Sequence, residues 1–206
     1  MKHKVSEIIN TLDEILRELL QELKGQENID VNERYIHHYF SYRLQHARYP
    51  IKFNEPCELH PEWATARLGT LRNAKYSKKN KTYKIDDSGS SGFIDLAIGS
   101  VEKPSVGIEF KTSKSYYPEG VIYDYMKLLD KNVNIDSAVA IDIYYGRKSK
   151  LTSKELNGNI QEAQSRLGER YEKARDRYLW VIQICGRELI VFKCSGKSES
   201  FSEVQI

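Results

Sequence analysis

The chain has little of several things that would narrow its role. It holds three cysteines, five prolines, two methionines and two tryptophans in 206 residues. Cys57, Cys185 and Cys194 are scattered without CxxC spacing, which argues against both a zinc site and a disulfide framework. Cys185 and Cys194 sit in apolar runs and read as buried thiols, so a reducing cytoplasm is the expected home. No window approaches the roughly 20 apolar residues of a membrane span. The N-terminal segment is basic but lacks a continuous apolar stretch and a cleavage site, so no signal peptide is expected. An excess of one charge is missing too: 32 Lys and Arg face 29 Asp and Glu, leaving a net charge of +3. The field of the whole molecule therefore selects no partner, and any nucleic-acid surface must be local. No internal repeat is visible.

What is present suits a globular α/β protein. Hydrophobic residues make up 40% of the chain and charged residues 30%, which excludes a disordered polymer. The length fits a single domain with a sizeable core. Three parts are expected within it: a helical arm over residues 1–25, a core over about 30–145, and a helix and hairpin over 150–206.

The most informative stretch runs from Ser91 to Ser115. Phe93 to Ile98 and Val106 to Lys111 read as two short strands, with Gly99, Pro104 and Ser105 between them as hairpin punctuation. Side chains alternate across a strand. Glu109 and Lys111 therefore share one face, and Ile108 and Phe110 the other. Asp95 lies within an apolar strand, where a charge needs a partner or a function. Paired as a hairpin, the strands bring Asp95 toward Glu109 and Lys111. Two carboxylates and a lysine suit metal-assisted phosphodiester hydrolysis. Magnesium takes only one or two carboxylates and fills its shell with water and phosphate. The ion activates water and neutralises phosphate charge, while a lysine stabilises the charge that develops. A solvated Glu109/Lys111 pair on a surface hairpin is the competing reading.

Asp95 followed by Glu109-Phe110-Lys111 in an apolar strand resembles the PD-(D/E)xK nuclease superfamily, over roughly residues 30–145. The residue before Asp95 is Ile94 instead of proline, at a position that varies in that family. The resemblance implies a restriction-endonuclease-like αβββαβ core with a mixed sheet flanked by helices. It implies a magnesium-dependent phosphodiesterase, with manganese as a substitute ion, acting on nucleic acid, DNA in the first instance, as an endonuclease of restriction or repair type. Asp95 and Glu109 would bind the ion and Lys111 would assist the chemistry. Many members carry a glutamate on the first core helix, and Glu33 is the position that matches it as an auxiliary ligand. An ordinary first-turn glutamate, favoured by the helix dipole, is the other reading of Glu33. The same fold without catalysis, serving as a nucleic-acid-binding or scaffold module, is the alternative function.

Along the rest of the chain, Val5, Ile8, Ile9, Leu12, Ile15, Leu16, Leu19, Leu20 and Leu23 recur at helical spacing over residues 5–24. Packing on the core is the first reading of this stripe and a homodimer contact the second. A helix from Glu33 to about Ala47 follows, capped by Asp30 or Asn32. His37 and His38 are adjacent and diverge by about a hundred degrees, which follows from helical geometry and argues against a shared metal. Residues 48–62, with Pro50, Pro56 and Pro61, read as loop with a short strand near Ile51–Phe53, and Trp63–Leu71 as a short helix or turn. Arg67, Arg72, Lys75, Lys78, Lys79, Lys81 and Lys84 then form a basic stretch interleaved with Tyr76 and Tyr83, suited to phosphate and base contact. Tyr83–Ile85 reads as the first strand of the meander, and Asp86 or Asp87 rivals Asp95 as the metal aspartate. A helix over Pro118–Lys131 offers Lys127, and the polar exit before it offers Lys114, as phosphate contacts. Ala138–Tyr144 reads as a central strand buried on both faces. Arg147, Lys148 and Lys150 form a second basic patch at its end. Residues 153–177 read as helix, Leu179–Cys185 and Leu189–Cys194 as a hairpin around Gly186-Arg187, and the tail as frayed, with Phe201 and Val204 able to dock.

Overall fold

A computed structural model describes residues 5–24, 32–45, 59–64, 75–77, 82–84, 93–100, 102–145, 150–186 and 188–205. The predicted strand at Ile51–Phe53 and the candidates Arg72, Lys78, Lys79, Lys81, Asp86, Asp87, Arg147 and Lys148 lie outside the described residues. Lys75 is described in its backbone only.

The elements are α1 (Val5–Leu23), α2 (Glu33–Gln45), β1 (Leu59–Ala64), β2 (Lys75–Ser77), β3 (Thr82–Lys84), β4 (Phe93–Gly99), β5 (Pro104–Ser113), α3 (Pro118–Leu129), β6 (Ser137–Tyr145), α4 (Ser153–Leu167), β7 (Asp176–Cys185), β8 (Glu188–Gly196) and β9 (Ser202–Val204). Seven strands form one mixed sheet in the order β1-β4-β5-β6-β7-β8-β9, and β2 pairs with β3 in a separate ribbon. β5, β6 and β7 run parallel to one another, and the flanking pairs are antiparallel. The first four strands of the large sheet, with α2 and α3, run helix–strand–strand–strand–helix–strand along the chain.

Two helical layers cover the sheet. The aliphatic stripe of α1 packs with Ile36, Phe40 and Leu44 of α2 onto Ile108, Phe110, Val139, Ile141 and Ile143. α1 thus buries its stripe in the core, and a homodimer through this helix would have to use its polar side. On the opposite face, α3 and α4 pack against Ala138, Ala140, Tyr144, Leu179 and Val181. β6 is accordingly buried on both faces, as a strand of apolar residues at the centre of a parallel segment should be.

Local chemistry explains most boundaries. Asn32 caps α2, its Oδ1 accepting from the Tyr35 N–H at 2.8 Å. Pro118 opens α3, where a missing N–H costs nothing. Thr152 and Glu155 form a reciprocal capping box at the start of α4. At Gly107 the sheet and the loop after α3 approach closely: an added Cβ would lie 2.9 Å from Ile135 Cδ1 and 3.1 Å from Ile94 Cδ1.

Several expectations are corrected. Leu59–Ala64 is a strand, not loop and turn. It lies at the edge of the sheet, where Pro61 removes no needed donor. It takes the place expected for Tyr83–Ile85, whose first two residues belong to the ribbon instead. The helix expected over 153–177 ends at Leu167, because Gly168 adopts φ 52° and breaks it. The tail is ordered: Ser202–Val204 pairs with β8, and Phe201 is buried. Cys194 is buried as expected, with burial pushing its thiol up to about 11, whereas Cys185 is half-buried. No helix among the described residues is long and apolar enough to cross a membrane.

Candidate functional site

The site is a buried polar patch between the sheet and α3. Alternation on β5 builds one wall. Ile108 and Phe110 enter the α1/α2 layer, while Glu109 and Lys111 face α3. Parallel pairing sets Glu109 beside Ala140 and Lys111 beside Asp142 on β6. The small Ala140 leaves room next to Glu109. α3 forms the roof with Asp124, Tyr125 and Lys127.

Asp95 enters from β4. The regular β4–β5 ladder reaches Leu96↔Ile108, and continuing it by one residue puts Asp95 opposite Glu109. There the carboxylate takes over from the backbone: Asp95 Oδ2 accepts from the Phe110 N–H at 2.7 Å. The strand rotates at this point, since Ile94 packs in the α3/α4 layer and Leu96 in the other. Strict alternation would put both on one face. The edge strand is irregular at the same level. Glu62 is the β1 position facing Asp95, its rung is missing from the ladder, and its φ is 51°, a region few non-glycine residues adopt.

A chain of ion pairs runs through the patch. Lys127 Nζ donates to Glu109 Oε2 at 2.6 Å and lies 3.4 Å from Asp124 Oδ1. Asp124 Oδ2 in turn accepts from Lys111 Nζ at 3.1 Å. Glu109 is 3% exposed, and its second oxygen, Oε1, is buried with no hydrogen-bond partner. Beside this chain, Tyr125 donates to Asp142 Oδ2 at 3.2 Å, while Asp142 Oδ1 and the Tyr144 hydroxyl are buried and unpartnered. The Tyr116 ring meets Tyr144 edge-on at 5.0 Å, and Asn159 of α4 donates to the Tyr116 hydroxyl.

The electrostatics follow from crowding carboxylates in a low-dielectric volume. Burial raises the carboxyls of Asp95 and Glu109, Glu109 well above the usual range, with Lys127 only partly offsetting the effect. Burial pushes Asp142 up to about 8, with Asp124 adding to it. Burial works against both ammoniums, but Asp124 holds Lys111 up, and Glu109 and Asp124 hold Lys127 up. Burial is thus the first cause at the carboxyls, and the excess of carboxylates over ammoniums in the patch adds to it and keeps both ammoniums charged.

The sequence-predicted residues fare differently. Asp95 and Glu109 lie near enough to feel each other's charge, whereas Lys111 joins them only through Asp124 and Lys127. Glu33, at the first turn of α2, is an exposed residue with its carboxyl raised by partial desolvation and felt by both Lys111 and Asp95. Lys114 is exposed. Lys127 lies inside the patch at 8% exposure, not at a solvent-facing surface. His37 is half-buried and His38 exposed; their rings stack at 6.0 Å, and His37 lies over Phe110 at 5.9 Å. His37 Nε2 is buried and unpartnered, and burial holds the imidazole below its usual pKa.

Asp142 is the site residue that sequence reasoning missed, and Asp124, on the side of the Pro118–Lys131 helix read as exposed or site-facing, was given no role. Asp124 had a readable signal, an acid three residues before Lys127 on a helix that must cover the charged face of β5. Asp142 had another, the lone charge in the apolar run 138–144. Two exposed aromatic residues adjoin the patch along the chain, Phe93 at 55% and Tyr117 at 65%. The Phe93 carbonyl accepts from Lys127, and Tyr117 and the Lys111 stem both border Gly120.

Among the described residues, no group of three or more His, Cys, Asp or Glu side chains stands ready to hold a metal ion. The donor set nevertheless suits a hard divalent cation that keeps most of its shell as water and phosphate. It offers carboxylate oxygens, one of them a buried oxygen without a partner. No family model matches this chain, and neither does any curated protein or solved structure.

Proposed function

We propose that this protein is a metal-dependent nuclease of the PD-(D/E)xK type, hydrolysing phosphodiester bonds of nucleic acid, with DNA as the substrate and internal cutting as the mode. The observation that carries the reading is Glu109. Its carboxylate is buried against Lys127, within reach of the charges of Asp124 and Asp95, and keeps one oxygen unsatisfied. A buried polar atom without a partner is costly, and sites of this kind answer to an ion, a water or a ligand. The run of α2, β1, β4, β5, α3 and β6 supports the reading, because it has the element order and mixed sheet that the resemblance implies.

Asp95 and Glu109 would hold magnesium, or manganese in its place, with Glu33 as an auxiliary ligand. Bound there, the ion would lower the pKa of a water and neutralise phosphate charge. The chain's own residues do the rest. The Phe110 N–H fixes the Asp95 carboxylate. Asp124 fixes the Lys111 ammonium. Lys111 stabilises the negative charge on the pentavalent phosphate and orients the attacking water. Lys114 meets the phosphate backbone at the rim, and the exposed rings of Phe93 and Tyr117 offer faces for base stacking.

The test is cleavage of plasmid and single-stranded substrates with magnesium, comparing wild type with Asp95→Ala and Lys111→Ala. Cleavage by wild type alone is expected. Equal behaviour of all three proteins discards the assignment.

One observation favours the second reading, a nucleic-acid-binding or scaffold module on the same fold. Glu109 gives one of its two oxygens to Lys127. Salt-sensitive binding without metal-dependent cutting would select that reading.

A further inference from the structure

The hydrolytic reading has no use for the placement of Lys127. A lysine on a helix normally lays its stem along the surface and keeps its ammonium in water. Here the side chain is 8% exposed. Its Nζ is met by Glu109 Oε2 of β5 at 2.6 Å, the Phe93 carbonyl of β4 at 3.3 Å and Asp124 Oδ1 of its own helix at 3.4 Å. Three oxygens from three elements thus converge on one positive charge, as they would on a small cation. Glu109, one of those three, is also the residue whose other oxygen is unsatisfied.

We propose that Lys127 is a placeholder cation. It neutralises Glu109 in the ion-free protein and yields that carboxylate to the divalent ion when the ion binds. This inference rests on the metal-dependent reading and adds a competition built into the site. An ammonium and a doubly charged ion on one buried carboxylate repel each other strongly, because little water screens them. Coupling of this kind is reciprocal: whatever loosens Lys127 tightens the ion, and the ion loosens Lys127. The ammonium has a second resting place, since its Nζ already lies 5.5 Å from the centre of the Tyr123 ring. From there it can turn to a phosphate. Lys127 is a positioning residue on this view, and its removal should strengthen ion binding, whereas a purely structural lysine would give weaker binding on removal.

Manganese titrated calorimetrically at pH 8 into metal-stripped wild type, Lys127→Met and Lys127→Arg tests the idea. Lys127→Met should bind at least about tenfold tighter than wild type, and Lys127→Arg, which keeps the charge, should not. Equal or weaker binding by Lys127→Met overturns the proposal. Circular dichroism establishes that the variant folds. If it does not, the wild type answers: manganese should raise the acylation rate of the Lys127 amine several-fold, read by mass spectrometry, with exposed Lys131 unchanged. A Lys127 rate that manganese leaves unaltered overturns the proposal equally. Manganese binding and cleavage by wild type, without tighter binding in Lys127→Met, removes the placeholder and leaves the nuclease. No manganese binding by any of the three removes both.

Discussion

Four consecutive residues of β5, 108–111, alternate between two faces built to opposite ends. Toward α2, Ile108 and Phe110 meet only apolar and ring surface: Phe40 meets Phe110 at a tilt with ring centroids 5.1 Å apart, and His37 lies over the same ring. Toward α3, Glu109 and Lys111 meet Lys127 and Asp124. The first face gains stability by removing apolar area from water. The second loses solvation for four charged groups and recovers only part of it by pairing, since Glu109 Oε1 has no partner. A strand that served architecture alone would carry apolar residues on both sides, as β6 nearly does. The contrast predicts that the α2 face fails by unfolding and the α3 face by loss of chemistry.

That prediction can be broken from either side. Phe110→Ala should cost about 3–5 kcal/mol, because it opens a cavity under two rings. Chemical denaturation reads the loss, and a cost below about 1 kcal/mol would mean the face is not core. Lys111→Ala should lower magnesium-dependent cleavage by about 10²-fold to 10³-fold, the usual effect of losing one charge-stabilising donor. Its stability should move by no more than about 1 kcal/mol, as the Lys111–Asp124 pair is partly exposed. Variants that swapped these outcomes, Phe110→Ala stable and Lys111→Ala unfolded, would reverse the assignment of the two faces.

How much of this contrast was legible follows from which residues needed tertiary information. The β5 alternation and the charge in β4 are local patterns, so Asp95, Glu109 and Lys111 could be read directly, as could the existence of α1, whose stripe left only the choice between the core and a second copy to the tertiary structure. Lys127 could be read as a site residue but not as a buried one, because its burial depends on Glu109, eighteen residues earlier, reaching it from the sheet. Asp124 depends on the same docking of α3. Leu59–Ala64 was hidden by Pro61, which argues against a strand unless the strand is known to be an edge, and edges are decided by topology. The end of α4 at Gly168 was a local signal that the surrounding charged run masked.

Asp142 sharpens the comparison, since it carries the α3-side character onto β6. Its carboxyl is pushed up to about 8 by burial, against an ordinary value of 3.8. Between those values the folded protein keeps a proton that the unfolded chain has released. Stability therefore falls as pH rises from about 4 to 8, and the loss is absent below that window. Asp142→Asn removes the titration while preserving a partner for the Tyr125 hydroxyl. Relative to wild type, the variant should gain on the order of 2–4 kcal/mol between pH 5 and pH 8. Denaturation midpoints measured at the two pH values check the sign. A difference that does not change with pH would mean Asp142 is ionised throughout, with another cation close to it.

The smallest expected effect comes at Gly120, in the first turn of α3. Glycine within a helix is about 1 kcal/mol worse than alanine, because it has more backbone freedom to lose. A Cβ there would stand 3.4 Å from both Lys111 Cε and Tyr117 Cδ1, and 3.8 Å from Lys111 Nζ. Those are ordinary contact distances, so the methyl group fits and would lie along the lysine stem without displacing it. Gly120→Ala should therefore raise stability by about 0.5–1 kcal/mol and change cleavage by less than about threefold. If the gain in stability appears while cleavage falls toward the Lys111→Ala level, the lysine must sweep through the space above Gly120 during turnover. The α3 face would then depend on motion as well as placement, a requirement that the packed α2 face does not share.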